Sequence, residues 1–127
     1  MLKDNFFSII DYSTIDDRIV DFQIQINKDH SIYQAHFPGN PITPGVCIIQ
    51  IARELFAFLH QADFLIKKIK SVKFTQAIIP TENDRINYKI EWKDADSENL
   101  IRLQAIIYAA DTVFTKIDMQ LMQSQTD

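Results

Sequence analysis

The chain has 127 residues, 46% of them hydrophobic and 24% charged, which suits one domain with a sizeable core and is too short for two. Its formal net charge of −4 argues against generic nucleic-acid binding, which requires a basic surface. A single cysteine, Cys47, excludes an intrachain disulfide and any cysteine-based zinc site. The first residues lack the pattern of a secretory signal, and no apolar run is long enough to span a bilayer. We therefore expect one cytoplasmic domain over residues 1–127.

Two strands are predicted at the start of the chain. Residues 6–12 form a short apolar run, and residues 18–27 alternate between apolar and polar side chains. A period of two residues is typical of a strand with one buried face. Residues 13–17 between the two strands are predicted to form a hairpin turn.

A stiff loop and a long helix follow. Both glycines and three of the four prolines fall within residues 38–45, and each proline fixes its own φ. Residues 31–35 before the loop are predicted as a polar-aromatic connector. Thr43 and Pro44 are predicted as the N-cap and the first residue of a helix that runs to about His60. The helix is apolar on almost every side, which indicates burial, but one polar stripe interrupts it. The stripe consists of Gln50, Arg53 and Glu54.

Four more strands are predicted after the helix, at residues 65–74, 85–93, 101–109 and 113–121. Turns are predicted at residues 80–84, 94–99 and 111–112, and the end of the chain after Gln123 is predicted to be frayed. Antiparallel strands with one apolar face must bury that face, and only the helix is available to cover it. The sequence thus predicts an α+β domain in which an antiparallel sheet of about six strands wraps around one long central helix.

The stretch from His36 to Val46 reads His-Phe-Pro-Gly-Asn-Pro-Ile-Thr-Pro-Gly-Val. It resembles the His-Phe-Pro-x-x-Pro-x-x-Pro-Gly-Val signature of the FabZ-type 3-hydroxyacyl-acyl-carrier-protein dehydratases, and the order of elements is similar to the hotdog fold of that family. The resemblance implies a lyase that removes water from a 3-hydroxyacyl thioester in fatty-acid or related lipid biosynthesis. It also implies a homodimer with active sites at the subunit interface and a tunnel for the acyl chain, and it leaves further assembly open. The elimination requires neither a metal nor an organic cofactor.

The resemblance assigns His36 as the catalytic histidine, the base that removes the α-proton. The amides of Gly45 and Val46, at the helix N-terminus, are expected to hold the thioester oxygen, where N–H donors and the helix dipole act together. Glycine at position 45 would permit the substrate to approach closely. Phe37 and Pro44 beside these groups are expected to contact the substrate. The alternative for His36 is a structural role, in which its ring bonds to backbone and fixes the turn.

The helix departs from the family pattern. The acid of the family is a glutamate or an aspartate at the position of Gln50, and an amide cannot transfer a proton. Glu54 lies one turn later, about 6 Å further along the helix, and is expected to act as the acid from the other subunit. Gln50 would then orient the substrate hydroxyl or a water. In the alternative, Gln50 bonds across a dimer interface, and Arg53 and Glu54 form a polar pair.

Three other functions fit the same residues. One is an acyl thioesterase of the same fold, with a carboxylate that activates water. Another is a catalytically silent acyl-binding or partner subunit, which the amide of Gln50 favours. In the third, Cys47 is a nucleophile beside His36, because a helix N-terminus can lower the pKa of a thiol. A buried cysteine that acts as a small apolar side chain is far commoner.

Basic residues near the helix and on the strand after it are expected to attract an acidic acyl carrier protein, with acyl-CoA as the alternative form of the substrate. These residues are Arg53, Lys67, Lys68, Lys70 and Lys73. The alternative is an ordinary solvated strand face whose lysines discourage aggregation.

Overall fold

The computed structural model of the chain describes residues 1–95, 97 and 99–124. In chain order, the described elements are β1 (Phe7–Asp16), β2 (Ile19–Ile26), α1 (Ile32–Ala35), α2 (Gly45–His60), β3 (Phe64–Phe74), β4 (Arg85–Asp94), β5 (Leu100–Ala109) and β6 (Thr112–Gln123). The predicted turn at residues 94–99 lies partly outside the described residues. The predicted frayed end lies outside them except for Ser124, whose N–H donates to the carbonyl of Asp63 at 2.8 Å.

The strands form one six-stranded sheet in the order β1-β2-β4-β5-β6-β3. All neighbouring strands are antiparallel, and β1 and β3 lie at the edges. The alternation predicted for the second strand is present, since Val20, Phe22 and Ile24 are buried while Asp21 and Gln23 on the other face are partly exposed. The sheet therefore has one apolar face and one polar face.

Helix α2 packs against the apolar face of the sheet, as predicted. Ile51, Ala52, Leu55 and Phe56 are entirely buried there. Tyr88 on β4 fastens the helix to the sheet, because its hydroxyl donates to the carbonyl of Ile48 at 3.0 Å. Burial raises the pKa of Tyr88 well above its ordinary value, so the hydroxyl remains a donor at neutral pH. No helix in the described part of the chain is long and apolar enough to cross a lipid bilayer.

The first hairpin turn differs from the prediction. Strand β1 continues to Asp16, so the predicted turn at residues 13–17 is mostly strand. The chain reverses over residues 17–18, where the Asp16 carboxylate accepts the N–H of Arg18 at 2.8 Å. An aspartate that bonds two residues ahead stabilises a tight turn, and such a turn leaves more residues for the strand.

One short helix was not predicted, and the position of one turn was wrong. The connector at residues 31–35 contains the short helix α1, and the ring of His30 accepts the N–H of Ile32 at 3.1 Å at its start. The last hairpin turns at residues 110–111 rather than 111–112, with Ala110 at φ 51°. Both features are too short to produce a period in the sequence.

Candidate functional site

The loop between α1 and α2 is folded back on itself by backbone hydrogen bonds. The N–H of Ile42 donates to the carbonyl of His36 at 3.0 Å, and that of Asn40 donates to the carbonyl of Phe37 at 2.9 Å. Gly39 has a φ of +72°, a conformation that favours glycine. These contacts bring the backbone of His36 close to the segment that leads into α2.

Helix α2 begins at Gly45, and its N-cap is Pro44 rather than Thr43 as predicted. Thr43 is instead buried, with its hydroxyl 2.9 Å from the hydroxyl of Tyr33 and its N–H bonded to the carbonyl of Ile78 at 2.9 Å. Pro44 has no side-chain acceptor, so no side chain caps the helix. The N–H groups of Gly45 and Val46 precede the first intrahelical bonds and are left for another acceptor.

The imidazole of His36 has no hydrogen bond to any described residue. It is half-buried, and it stacks on the ring of Phe37 with centroids 4.4 Å apart and planes inclined by 19°. The other two histidines behave differently, because a ring nitrogen of His30 accepts the N–H of Ile32 and one of His60 lies 3.0 Å from the carbonyl of Phe56. A ring bonded to the backbone, the structural alternative for His36, is therefore found at His30 and His60.

The ring of Phe74, at the end of β3, covers Gly45. A Cβ on Gly45 would lie 2.7 Å from Cζ of Phe74, closer than side chains pack. Glycine at this position therefore makes room for the ring of Phe74, where the substrate was expected. Phe74 is 53% exposed, so its ring can move without unpacking the core. No pattern in the sequence links these two residues, and Phe74 was not predicted as part of the site.

The polar stripe of α2 forms a connected network. The side chain of Arg53 donates to Gln50 Oε1 at 3.2 Å, and Gln50 Nε2 donates to Glu54 Oε2 at 2.9 Å. Arg53 also donates to the carbonyl of Phe64, where β3 begins, at 2.8 Å. The stripe is accommodated on a buried helix because every member has a partner.

Glu54 anchors the N-terminal segment of the chain. The residue is buried, with 3% of its surface exposed. The N–H of Leu2 lies 3.0 and 2.8 Å from its two oxygens, and the N–H of Lys3 lies 2.8 Å from Oε1. A buried carboxylate requires such donors, and bonds to a charged acceptor are the stronger kind. No described contact joins Glu54 or Gln50 to His36 within one subunit.

A cavity of about 510 Å³ opens beside this network. Its lining combines charged and apolar side chains, among them Lys3, Arg53, Glu54, Ala57 and Phe58. The volume falls within the range of roughly 300–1,000 Å³ that is usual for small-molecule sites.

Cys47 does not have the properties of a nucleophile. Its side chain is buried in the first turn of α2. Burial raises the pKa of the Cys47 thiol, so the thiol remains protonated at neutral pH. The favoured alternative, a buried cysteine that acts as a small apolar side chain, is confirmed.

Residues 12–116 match a family model described as ApeI-like, ApeI dehydratase. The chain belongs to the ApeI-like family. It is 33% identical over 123 residues to the 3-hydroxyacyl-[acyl-carrier-protein] dehydratase FabZ of Lawsonia intracellularis, covering 76% of this chain and 80% of that protein. With the FabZ of Legionella pneumophila strain Corby, the identity is 25% over 125 residues, covering 87% and 77%.

Solved structures confirm the predicted hotdog fold. The dehydratase heterocomplex ApeI:P from Xenorhabdus doucetiae superposes with a TM-score of 0.70 at 19% identity, over 90% of this chain and 96% of that chain. A hypothetical thioesterase with coenzyme A from Streptococcus pneumoniae TIGR4 superposes with a TM-score of 0.65 at 10% identity, over 98% and 93%. The predicted resemblance to the FabZ family is confirmed with the fold.

The residues predicted to dock a carrier protein do not form one group in this ApeI-like chain. Arg53 is bonded within the network on α2. Lys67, Lys68, Lys70 and Lys73 are exposed on the edge strand β3. Arg53 and the lysines of β3 therefore lie in two separate groups.

Replacing Glu54 by Gln is expected to lower the free energy of unfolding by about 1–3 kcal/mol, because an amide nitrogen would replace an acceptor that faces backbone N–H donors. Chemical or thermal unfolding measures the change. Glu82→Gln alters an exposed carboxylate in the turn at residues 80–84 and is the matched control, expected to stay within about 0.5 kcal/mol of the parent. Equal stability of the two variants would show that Glu54 does not anchor the N-terminal segment.

Proposed function

We propose that the protein is a 3-hydroxyacyl thioester dehydratase of fatty-acid or related lipid biosynthesis, with carrier-protein or CoA thioesters as substrates. The observation that carries the proposal is the imidazole of His36, which has no hydrogen bond to a described residue, on a loop that leads into the uncapped N-terminus of α2. The dehydratase names of the family and of the FabZ relatives support the same reaction.

In this proposal the thioester oxygen accepts the N–H groups of Gly45 and Val46. As the α-proton leaves, negative charge develops on that oxygen, and the positive end of the helix dipole stabilises it. Phe37, which is 48% exposed and stacked on His36, and Pro44 would flank the substrate. The ring of Phe74 would swing away from Gly45 to admit the thioester.

His36 alone can perform both proton transfers of the elimination. Neutral His36 takes the α-proton, the C2–C3 double bond forms, and the C3–O bond breaks. The imidazolium then returns the proton to the departing hydroxyl, which leaves as water, while Gln50 orients that hydroxyl. We favour this over the predicted role of Glu54 of the partner subunit as the acid, because the Glu54 oxygens already accept from Leu2, Lys3 and Gln50.

Replacing His36 by Ala is expected to lower the rate of crotonyl-thioester hydration by at least about 10²-fold, since the only proposed acid–base group is lost. Loss of the enoyl absorbance measures the rate. His60→Ala removes an exposed imidazole at the end of α2 and is expected to keep the parent rate. A parent-like rate in His36→Ala contradicts the proposal, and release of free thiol in place of enoyl loss would indicate the thioesterase alternative.

We further propose that the protein forms a homodimer through β3. This strand pairs only with β6 among the described strands, so one of its edges has open backbone groups. Leu65, Ile69 and Phe74 on it are 55%, 45% and 53% exposed. An open edge with apolar side chains is a template for pairing with another strand. Antiparallel pairing about a two-fold axis would place the start of one β3 beside the end of the other, near Gly45.

Ile69→Lys is expected to shift the protein from dimer to monomer, because it places a charge in the proposed interface. Sedimentation equilibrium measures the shift. Ile106→Lys is the matched control, since Ile106 is 38% exposed on β5, away from the edges of the sheet, and should leave the dimer intact. A dimer of unchanged strength in Ile69→Lys would exclude this edge as the interface.

A second candidate function is a catalytically silent acyl-binding or partner subunit. It is favoured by the amide of Gln50 at the acid position and by the engagement of the Glu54 carboxylate with backbone N–H groups. The structural neighbour ApeI:P is a heterocomplex, which makes an unequal pair of subunits a reasonable precedent.

The substitution Gln50→Glu separates the two candidates. In a dehydratase that works with His36 alone, it is expected to change the rate by less than about tenfold, because an acid is already present. Activity that appears in Gln50→Glu but is absent from the parent would identify the silent subunit. Gln34→Glu, on an exposed position of α1, controls for the added charge.

A further inference from the structure

The polar face of the sheet, turned away from α2, carries an excess of positive charge on β3–β6. Six cations occupy outward positions in the pairings among β3–β6, leaving aside Lys67 and Lys70, which lie in β-bulges, and Arg85, which pairs with β2. We call this surface the lysine face; it consists of Lys68, Lys73, Lys89, Lys93, Arg102 and Lys116. Two carboxylates, Glu91 and Asp118, share it, so six positive charges less two negative give +4, whereas the whole chain has −4.

Like charges face each other across the strands of the lysine face. Lys73 lies directly opposite Lys116, and Lys93 lies opposite Arg102. Such pairs are destabilising unless another charge compensates them. Arg102 is compensated by two hydrogen bonds to Asp118, at 3.0 and 2.6 Å. These bonds lower the pKa of Asp118, which is therefore ionised at neutral pH.

The other lysines of the face lack such compensation. Within the described residues, neither Lys73, Lys89 nor Lys116 forms an ion pair. All three line one cavity of about 390 Å³, together with Ser71, Gln104 and the carboxylates of Glu91 and Asp118. Since Asp118 is bonded to Arg102, the three ammonium groups outnumber the remaining carboxylate, and the cavity keeps an excess of positive charge.

Protection against aggregation does not account for this arrangement. Lysines serve that purpose on edge strands, where they prevent unwanted pairing. Lys73 lies on the edge strand β3, but Lys89 and Lys116 lie on β4 and β6, which have neighbours on both sides. Two of the three uncompensated lysines therefore need another explanation.

We propose that the lysine face is a docking surface for an acidic protein, centred on Lys73, Lys89 and Lys116. A protein is favoured over nucleic acid because Glu91 and Asp118 lie in the adjoining row, where a surface of phosphates would meet two carboxylates. A protein surface brings both carboxylates and donors. Of the two isoleucines that line the cavity, Ile106 is 38% exposed and Ile117 is buried, so a membrane would find little apolar surface to cover. If the proposed dehydratase function holds, the acyl carrier protein is this partner; only that identification rests on the proposed function.

The test uses a purified acidic acyl carrier protein as the probe, titrated into the protein at low and at high salt. Lys73→Glu/Lys116→Glu is expected to weaken binding by about tenfold or more, and salt should weaken parent binding in the same way. Lys28→Glu/Arg18→Glu changes the net charge equally at exposed sites in turns outside the lysine face and should bind as the parent does. Lys89→Glu is the second variant if the double variant does not fold.

Turnover separates this inference from the proposed function. In the lysine-face variant, KM should rise for a carrier-linked 3-hydroxyacyl substrate and stay unchanged for the CoA thioester. If the parent turns over neither substrate, the dehydratase proposal fails, and the binding titration still decides the docking surface. Unchanged carrier binding in both lysine-face variants overturns the inference. A different outcome would indicate nucleic-acid or membrane docking instead. In that outcome the parent binds a DNA duplex or phosphatidylglycerol vesicles but not the carrier protein, and the lysine-face variant loses that binding.

Discussion

Burial of α2 against the sheet removes the side chains of Ile51, Leu55 and Phe56 from water completely. Each such side chain contributes roughly 1.5–3 kcal/mol, which is large beside the total stability of about 5–15 kcal/mol usual for a domain. One helix has to cover the apolar face of six strands, so little of its surface remains for other purposes. The sides of α2 that the sheet does not cover are its N-terminus and its polar stripe. These two regions are the loop half and the helix half of the candidate site.

The two halves answer different physical demands. At the N-terminus of α2, Pro44 leaves backbone donors without a cap, and an uncapped helix end attracts negative charge. In the polar stripe, burial of the Glu54 carboxylate would be unfavourable without hydrogen-bond donors. The backbone N–H groups of Leu2 and Lys3 supply them. At position 50, close to the start of the helix, the chain has the neutral amide of Gln50. The loop half thus keeps backbone donors that a ligand could use, while the carboxylate of the helix half is bonded to the N-terminal segment of the chain.

The features that the sequence predicted are local, and those it missed are not. The period of residues 18–27 and the clustered prolines before Gly45 can be read from a few consecutive residues. By contrast, Thr43 looks like an N-cap until the hydroxyl of Tyr33 is placed beside it, ten positions away in the chain. The partners of Glu54 lie 51 and 52 positions away, so no local pattern could reveal them. The sequence therefore predicted the loop half of the candidate site and left the role of the helix half open.

The irregular register of strand β3 explains why the lysine face could not be predicted from the sequence. Its inward residues Ile66, Ile69 and Val72 are three positions apart, whereas a regular strand repeats every two. Register shifts between Ile66 and Lys68 and between Ile69 and Ser71 each insert one extra residue, which restores the inward phase. The bulges let β3 carry more lysines than a regular strand of the same length while it still covers α2. With Phe74 over Gly45 on one face and Lys73 on the other, this strand connects the start of α2 to the cationic surface.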